Sequence, residues 1–361
     1  MKLKSISIVI FFVISLAYVH GINIDDASHT NKAKNIILII GDGMGLTHLY
    51  AAYTVNKGNL NITKFPVIGI QNTFSIDNYI TDSGASGTAI ATGKKTRNGM
   101  IGMGPDSTKL KSILEIAEEN NLSTGLVVTS KITHATPATF IAHNIDRDNY
   151  EELAMDFLKT DIDVFIGGGR EDFDQRRDKL NLIDSLKNKG YTVLYDIEKI
   201  KNCQSQKLAG FTSDSHNPKI SEGRKNVLSI STQTAINILS QNENGFFLMV
   251  EGSQIDWGGH DNDIEYVTNE VLDLDKAIGV ALDFAIKNGE TIVIVTSDHE
   301  TGGLGIIDGD IKKGELDTDF ASEDHTGVWV PVYAYGPGAT LFQGFYDNTD
   351  IFYKMLKVYG F

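Results

Sequence analysis

Three apolar stretches of this chain run straight into acids and histidines. Residues 35–40 (NIILII) lead into Gly41-Asp42-Gly43. Residues 246–250 (FFLMV) lead into Glu251-Gly252 and then Asp256 and His260, and residues 291–295 (TIVIV) into Thr296-Ser297-Asp298-His299. Carboxylates and imidazoles are zinc ligands, while carboxylate and hydroxyl oxygens suit magnesium and manganese. Asp256 and His260 stand four residues apart, so a helical turn would set both on one face. Taken singly, an Asp in Gly-Asp-Gly is a turn residue, and an Asp-His pair after a strand is a cap with a surface neighbour. Three strand ends of the same kind point instead to one shared site for divalent cations.

Further segments carry the chemistry of an anionic substrate. Residues 81–93 (TDSGASGTAIATG) hold few large side chains; Asp82 fits a helix N-cap and Gly93 a helix terminator. Ser83 then falls in the first turn, where free backbone N–H groups and the helix dipole favour an anion. Arg147, between Asp146 and Asp148, reads as a surface ion pair or as a two-pronged clamp for phosphate oxygens. His325 stands in a loop segment, Glu323-Asp324-His325-Thr326-Gly327, just before another strand-like run.

Seven short β-branched or aromatic runs are predicted strands: 35–40, 125–128, 163–166, 192–195, 246–250, 291–295 and 330–334. Several are apolar throughout, as in a sheet covered on both faces. Residues 111–120 and 266–288 show helical spacing of apolar side chains. The alternation predicts an α/β three-layer sandwich, its central sheet mostly parallel and covered by helices on both faces. In such sheets the ligand crevice lies beyond the carboxyl ends of the strands, where the acids and histidines fall. Residues 198–223 are polar and read as a surface excursion.

The chain has 361 residues, 41% hydrophobic and 22% charged, enough for a sizeable core. Its net charge of −15 argues against nucleic acid or an anionic membrane as a partner. A phosphorylated substrate is still compatible, because bound cations invert the local sign. Cys203 is the single cysteine, which excludes an intramolecular disulfide and a thiolate zinc site. Lys2 and Lys4, the apolar residues 6–17, and Val19 and Gly21 have the pattern of a signal peptide over 1–21. That predicts an exported protein, periplasmic or secreted, with residues 22–361 as a single catalytic domain.

Taken in order, GDGMG at 41–45, TDSGASGTAIATGKKTRNG at 81–99, THATPA at 133–138, Arg147, VEGSQIDWGGH at 250–260, TSDHETGG at 296–303 and HTG at 325–327 resemble the metal-dependent alkaline phosphatases. The resemblance implies hydrolysis of phosphate monoesters through a phosphoserine on Ser83, with Arg147 gripping two phosphate oxygens. It implies one zinc on Asp256, His260 and His325, and a second on Asp42, Asp298 and His299 with Ser83. It implies a magnesium sharing Asp42 with Thr136 and Glu251. Homodimers are common in that family. His134 and Trp257 depart from the pattern of other members; both are placed beside the ligands, and His134 could shift the third site toward cobalt or zinc. Four carboxylates against three divalent ions leave the site cationic, which suits a phosphate dianion. The rival readings are a phosphodiesterase or sulfatase of the same superfamily, and an exported metal- or phosphate-binding protein without turnover. Ser83 and Arg147 favour the monoesterase.

Overall fold

Alternate residues of the first strand, β1 (Asn35–Gly41), enter two different hydrophobic cores. Ile36, Leu38 and Ile40 pack on one side, Ile37 and Ile39 on the other, and all are fully buried. A strand with two buried faces is the middle layer of a sandwich, and each of these side chains contributes about 1.5–3 kcal/mol by leaving water. The computed structural model describes residues 32–361, so the expected signal peptide lies outside the described residues.

Thirteen strands follow: β2 (Val67–Asn72), β3 (Ser123–Lys131), β4 (Val164–Gly168), β5 (Thr192–Leu194), β6 (Leu208–Phe211), β7 (Phe246–Gly252), β8 (Thr291–Thr296), β9 (Glu300–Thr301), β10 (Leu304–Asp310), β11 (Glu315–Phe320), β12 (His325–Thr326), β13 (Val330–Tyr335) and β14 (Gly344–Asp347). Nine of them join β1 in one ten-stranded sheet, in the order β14-β2-β13-β8-β1-β7-β3-β4-β6-β5. Only β13 runs against its neighbours, pairing antiparallel with both β2 and β8. Helices Ser83–Thr92, Ile113–Glu119 and Thr349–Tyr359 cover one face through Ile90, Leu114 and Met355. Helices Leu46–Val55, Val227–Leu239 and Ile264–Asn288 cover the other through Leu49, Ile236 and Leu274. The mostly parallel three-layer sandwich expected from the sequence is the observed fold.

The sequence reading of residues 198–223 needs correcting. Leu208–Phe211 is a fully buried strand, β6, inserted between β4 and β5. Its four residues lie inside a polar stretch, too short a run for periodicity to register. Residues 304–320 form an antiparallel hairpin, β10 with β11, outside the main sheet.

Strands β8, β1, β7 and β3 are consecutive neighbours and parallel, so the segments leaving their carboxyl ends share one edge. Gly43 sits there with φ +71, and a Cβ on it would lie 2.7 Å from both Asp256 Cα and Thr301 Oγ1. Gly43→Ala should therefore add about 1–3 kcal/mol of backbone strain and also push Asp256 out of place. Gly190, at φ +89 with nothing within 4 Å of its Cβ position, is the matched control. Thermal denaturation should show a larger fall in Tm for Gly43→Ala than for Gly190→Ala; equal falls would mean that the close approach to Asp256 has no energetic weight.

Candidate metal centre

The helix Ser83–Thr92 begins at the edge where those strands end. Asp82 caps it by accepting the Ala85 N–H at 2.8 Å, and Gly93 ends it with φ 71. Its small residues allow close packing: a Cβ on Gly87 would lie 2.8 Å from Thr139 Oγ1. Ser86 fastens the helix to the end of β8 by donating to the Asp298 carbonyl at 2.7 Å. Ser83 is left buried in the first turn, its Oγ 3.3 Å from His299 Nε2.

Around it the acids and histidines fall into three groups, each with potential ligand atoms within 4.8 Å of one another: Asp256 with His299 and His325, Asp42 with Asp298 and His299, and Asp42 with His134 and Glu251. The groups are linked, because His299 belongs to two of them and Asp42 to two. His260 is not in a group, but its Nε2 lies 3.4 Å from Asp256 Oδ1, as does that of His325. His134, read from the sequence as a neighbour of the ligands, forms one of these groups with Asp42 and Glu251. Thr136 is buried nearby on the short helix Ala135–Ala138, whose N-cap is His134. Trp257 meets His134 edge-on, with ring centroids 6.1 Å apart.

Hydrogen bonds aim these side chains. Asp298 Oδ1 accepts the Gly43 and His299 backbone N–H groups at 3.1 and 3.0 Å. Glu251 Oε2 accepts the Ser253 hydroxyl at 2.6 Å. The Thr81 carbonyl holds His325 Nδ1 at 2.8 Å, and the Glu323 carbonyl holds His260 Nδ1 at 2.5 Å, which turns both Nε2 atoms toward Asp256. Thr301 does the same for His299. Its single hydroxyl proton goes to Asp256 Oδ1 at 2.5 Å, so at 3.2 Å it accepts from His299 Nδ1. Sequence reasoning passed over Thr301; its place two residues after a candidate ligand was the available signal.

What remains unpaired identifies the missing component. Both carboxylate oxygens of Asp42, Asp298 Oδ2, Glu251 Oε1, Thr136 Oγ1 and His134 Nδ1 are buried without hydrogen-bond partners. Four buried carboxylates facing one another repel. Burial first, then the charges of Asp298, Asp256 and Glu251, pushes the Asp42 carboxyl well above the usual range. Burial raises Glu251 to about 7. Burial, with Arg147 and His216 adding to it, lowers His134 to about 3 and keeps it a neutral donor. A set of oxygen and imidazole lone pairs aimed at common points, with no protein donor to meet them, fits divalent cations.

Arg147 reaches the same place from the other side. Its Nη1 donates to Asp82 Oδ2 at 2.8 Å, and the Gly99 N–H also binds that oxygen at 2.9 Å. Asp82 thus caps the Ser83 helix with one oxygen and orients the guanidinium with the other. The sequence had identified only the cap.

A family model described as alkaline phosphatase matches residues 33–316 and 307–361. Alkaline phosphatase 3 of Bacillus subtilis (strain 168) is 37% identical over 91% of this chain and 89% of its own length. Alkaline phosphatase of Escherichia coli (strain K12) is 32% identical over 93% and 88%. Among solved structures, the alkaline phosphatase of the Antarctic bacterium TAB5 superposes with TM-score 0.86 at 42% identity, over 92% of this chain and 99% of that one. Variants of the TAB5 enzyme with a histidine changed to aspartate or glutamate carry magnesium in a site called M3.

Without cations, His260 is drawn up to about 9, chiefly by its hydrogen bond to Asp256. A histidine raised on folding contributes stability below its ordinary pKa of about 6.5 and loses it as pH climbs through the raised value. The chelated protein should therefore lose Tm between pH 7 and pH 9. The cation-loaded protein should not, because a ligand takes the place of that proton. Calorimetry at both pH values checks this; parallel losses in the two forms would contradict it.

Proposed function

Because this chain belongs to the alkaline phosphatase family and hydrolyses phosphate monoesters, we propose that Ser83 is its nucleophile, served by three cations and by Arg147. The observation that carries this reading is the convergence of Ser83 Oγ on the three linked ligand groups. A carboxylate can bridge two cations with its two oxygens, and both oxygens of Asp42 are free to do so. His299 has only Nε2 available and can serve one cation. Paired with Asp42 and Asp298, it leaves Asp256 and His325 to a second cation, with His260 as the third ligand. Those two sites, rich in imidazole and carboxylate, suit zinc. Asp42, Glu251 and Thr136 suit magnesium, as in the TAB5 variants that carry it. His134, a nitrogen donor, shifts this third site toward a metal with more affinity for imidazole.

When bound, these ions would supply the positive charge that favours the serine alkoxide and stabilises the leaving oxygen. The chain's own residues do the rest. Arg147, held by Asp82, presents two parallel N–H groups to the phosphate and sets it in line with Ser83. Ser83 Oγ bonds to phosphorus as the ester oxygen departs with its alcohol. Water then cleaves the phosphoseryl ester, releasing phosphate and restoring Ser83. Trp257 brings no charge to this wall, so Arg147 is the side chain that would grip the phosphate, beside whatever charge bound cations would add.

Export fits the basic and apolar pattern of residues 1–21. Among the described residues no helix is long and apolar enough to cross a membrane.

The residue assignment is tested with p-nitrophenyl phosphate, its bis-ester and its sulfate ester, before and after chelation and metal restoration. Fast, metal-restorable cleavage of the monoester is expected, with Ser83→Ala abolishing turnover while bound zinc is retained. Turnover unchanged in Ser83→Ala would overturn the nucleophile. Asp82→Ala frees the guanidinium and should raise the KM for the monoester on the order of tenfold. Steady-state kinetics read this directly, and an unchanged KM would mean that Arg147 does not need Asp82.

A further inference from the structure

The two-residue strand β9 faces two ways. Thr301 points to Asp256 and His299. Glu300, its neighbour, points to the opposite side and is buried. Its Oε1 accepts the Leu304 N–H at 3.2 Å and lies 3.8 Å from His48 Nδ1. Its Oε2 accepts the Thr326 hydroxyl. His48 Nδ1 in turn accepts the Gly45 N–H at 3.2 Å, so the Nδ1 facing Glu300 is a lone pair and not a cation. A Cβ on Gly45 would sit 2.4 Å from Glu300 Cγ, so the loop after Asp42 presses directly on this side chain.

Each of these partners adjoins a ligand in the chain. Glu300 follows His299, Thr326 follows His325, and Gly45 stands three residues after Asp42. β9 and β12 pair antiparallel with Glu300 opposite Thr326 and Thr301 opposite His325. A shift at Thr326 therefore moves His325. Among the described residues no lysine or arginine pairs with Glu300, and its partners are neutral donors. A buried carboxylate without a cationic partner is costly. The cation that Asp256, His325 and His260 would hold would bring positive charge to these same segments.

We infer that Glu300 is a positioning residue for that cation site: it braces the His299, His325 and Asp42 segments against one another and supplies a non-ligating negative charge behind the ion. The inference rests on the ligand reading given above. Outer carboxylates of this kind change metal affinity about 10–100-fold when removed.

The test measures zinc affinity of the full chain by competition with a chromophoric chelator, and the visible spectrum of the cobalt-substituted protein. Glu300→Ala should bind the Asp256 zinc about 10–100-fold more weakly and alter the cobalt spectrum. Glu300→Gln keeps the shape and should recover part of the affinity. Thr326→Val removes only the hydroxyl donor and should weaken zinc several-fold, which keeps the inference testable should Glu300→Ala fail to fold. His325→Ala separates the two readings. Loss of zinc in His325→Ala, with full affinity in Glu300→Ala and Thr326→Val, would overturn the role of Glu300 alone. Wild-type affinity in His325→Ala would overturn the ligand assignment itself.

Discussion

The repulsion among Asp42, Glu251, Asp256 and Asp298 is the constraint on which the rest of the structure depends. Four carboxylates buried at one sheet edge cannot all stay ionised without positive charge among them. The protein supplies little of it. Backbone and hydroxyl donors satisfy one oxygen of Asp298 and one of Glu251, and leave the other oxygen of each bare. Asp42 receives no donor on either oxygen. The polypeptide thus stops short of neutralising its own acids, and divalent cations would complete the charge balance. Such ions would reconcile a chain of net charge −15 with a dianionic substrate, because they would make the local sign at the site opposite to that of the whole.

Rigidity around the cations comes from partners that accept no metal themselves. The carbonyls of Thr81 and Glu323 and the hydroxyl of Thr301 each hold one ring nitrogen of a histidine, so that the other faces inward. Asp82 joins the start of the Ser83 helix to Arg147 through a single carboxylate. The Ser83 helix and the Arg147 guanidinium are therefore placed by one side chain, itself fixed by a helix terminus. Glycine at 43 and 45 lets the loop after β1 approach Asp256 and Glu300 more closely than any other residue could. These contacts turn a loose cluster of ligands into a preorganised one, and preorganisation is what makes the electrostatics useful for catalysis.

Much of this was legible in the chain itself. A fully apolar strand ending in acid or histidine is readable because a parallel sheet buries both strand faces and exposes only the strand's end. The capped helix of small residues at Ser83 was readable for the same local reason. Strand β6 was not, since four residues inside a polar segment carry no period. The partners Thr301, Glu300 and Asp82 were not readable in their roles either, because an ordinary hydroxyl or carboxylate gains meaning only from what lies across from it.

The sequence by itself determined the layered fold class and the sheet edge where acids and histidines collect. Those follow from hydrophobic periodicity and residue type, which are local properties. Only the tertiary structure decided how the acids and histidines group: that Asp42 and His299 each belong to two groups, that His134 joins Asp42 and Glu251, and that His260 lies outside the groups, beside Asp256. Such divisions depend on distances of a few ångströms between segments as far apart in the chain as Asp42 and Asp298. They are set by strand order and side-chain packing, which no local pattern encodes.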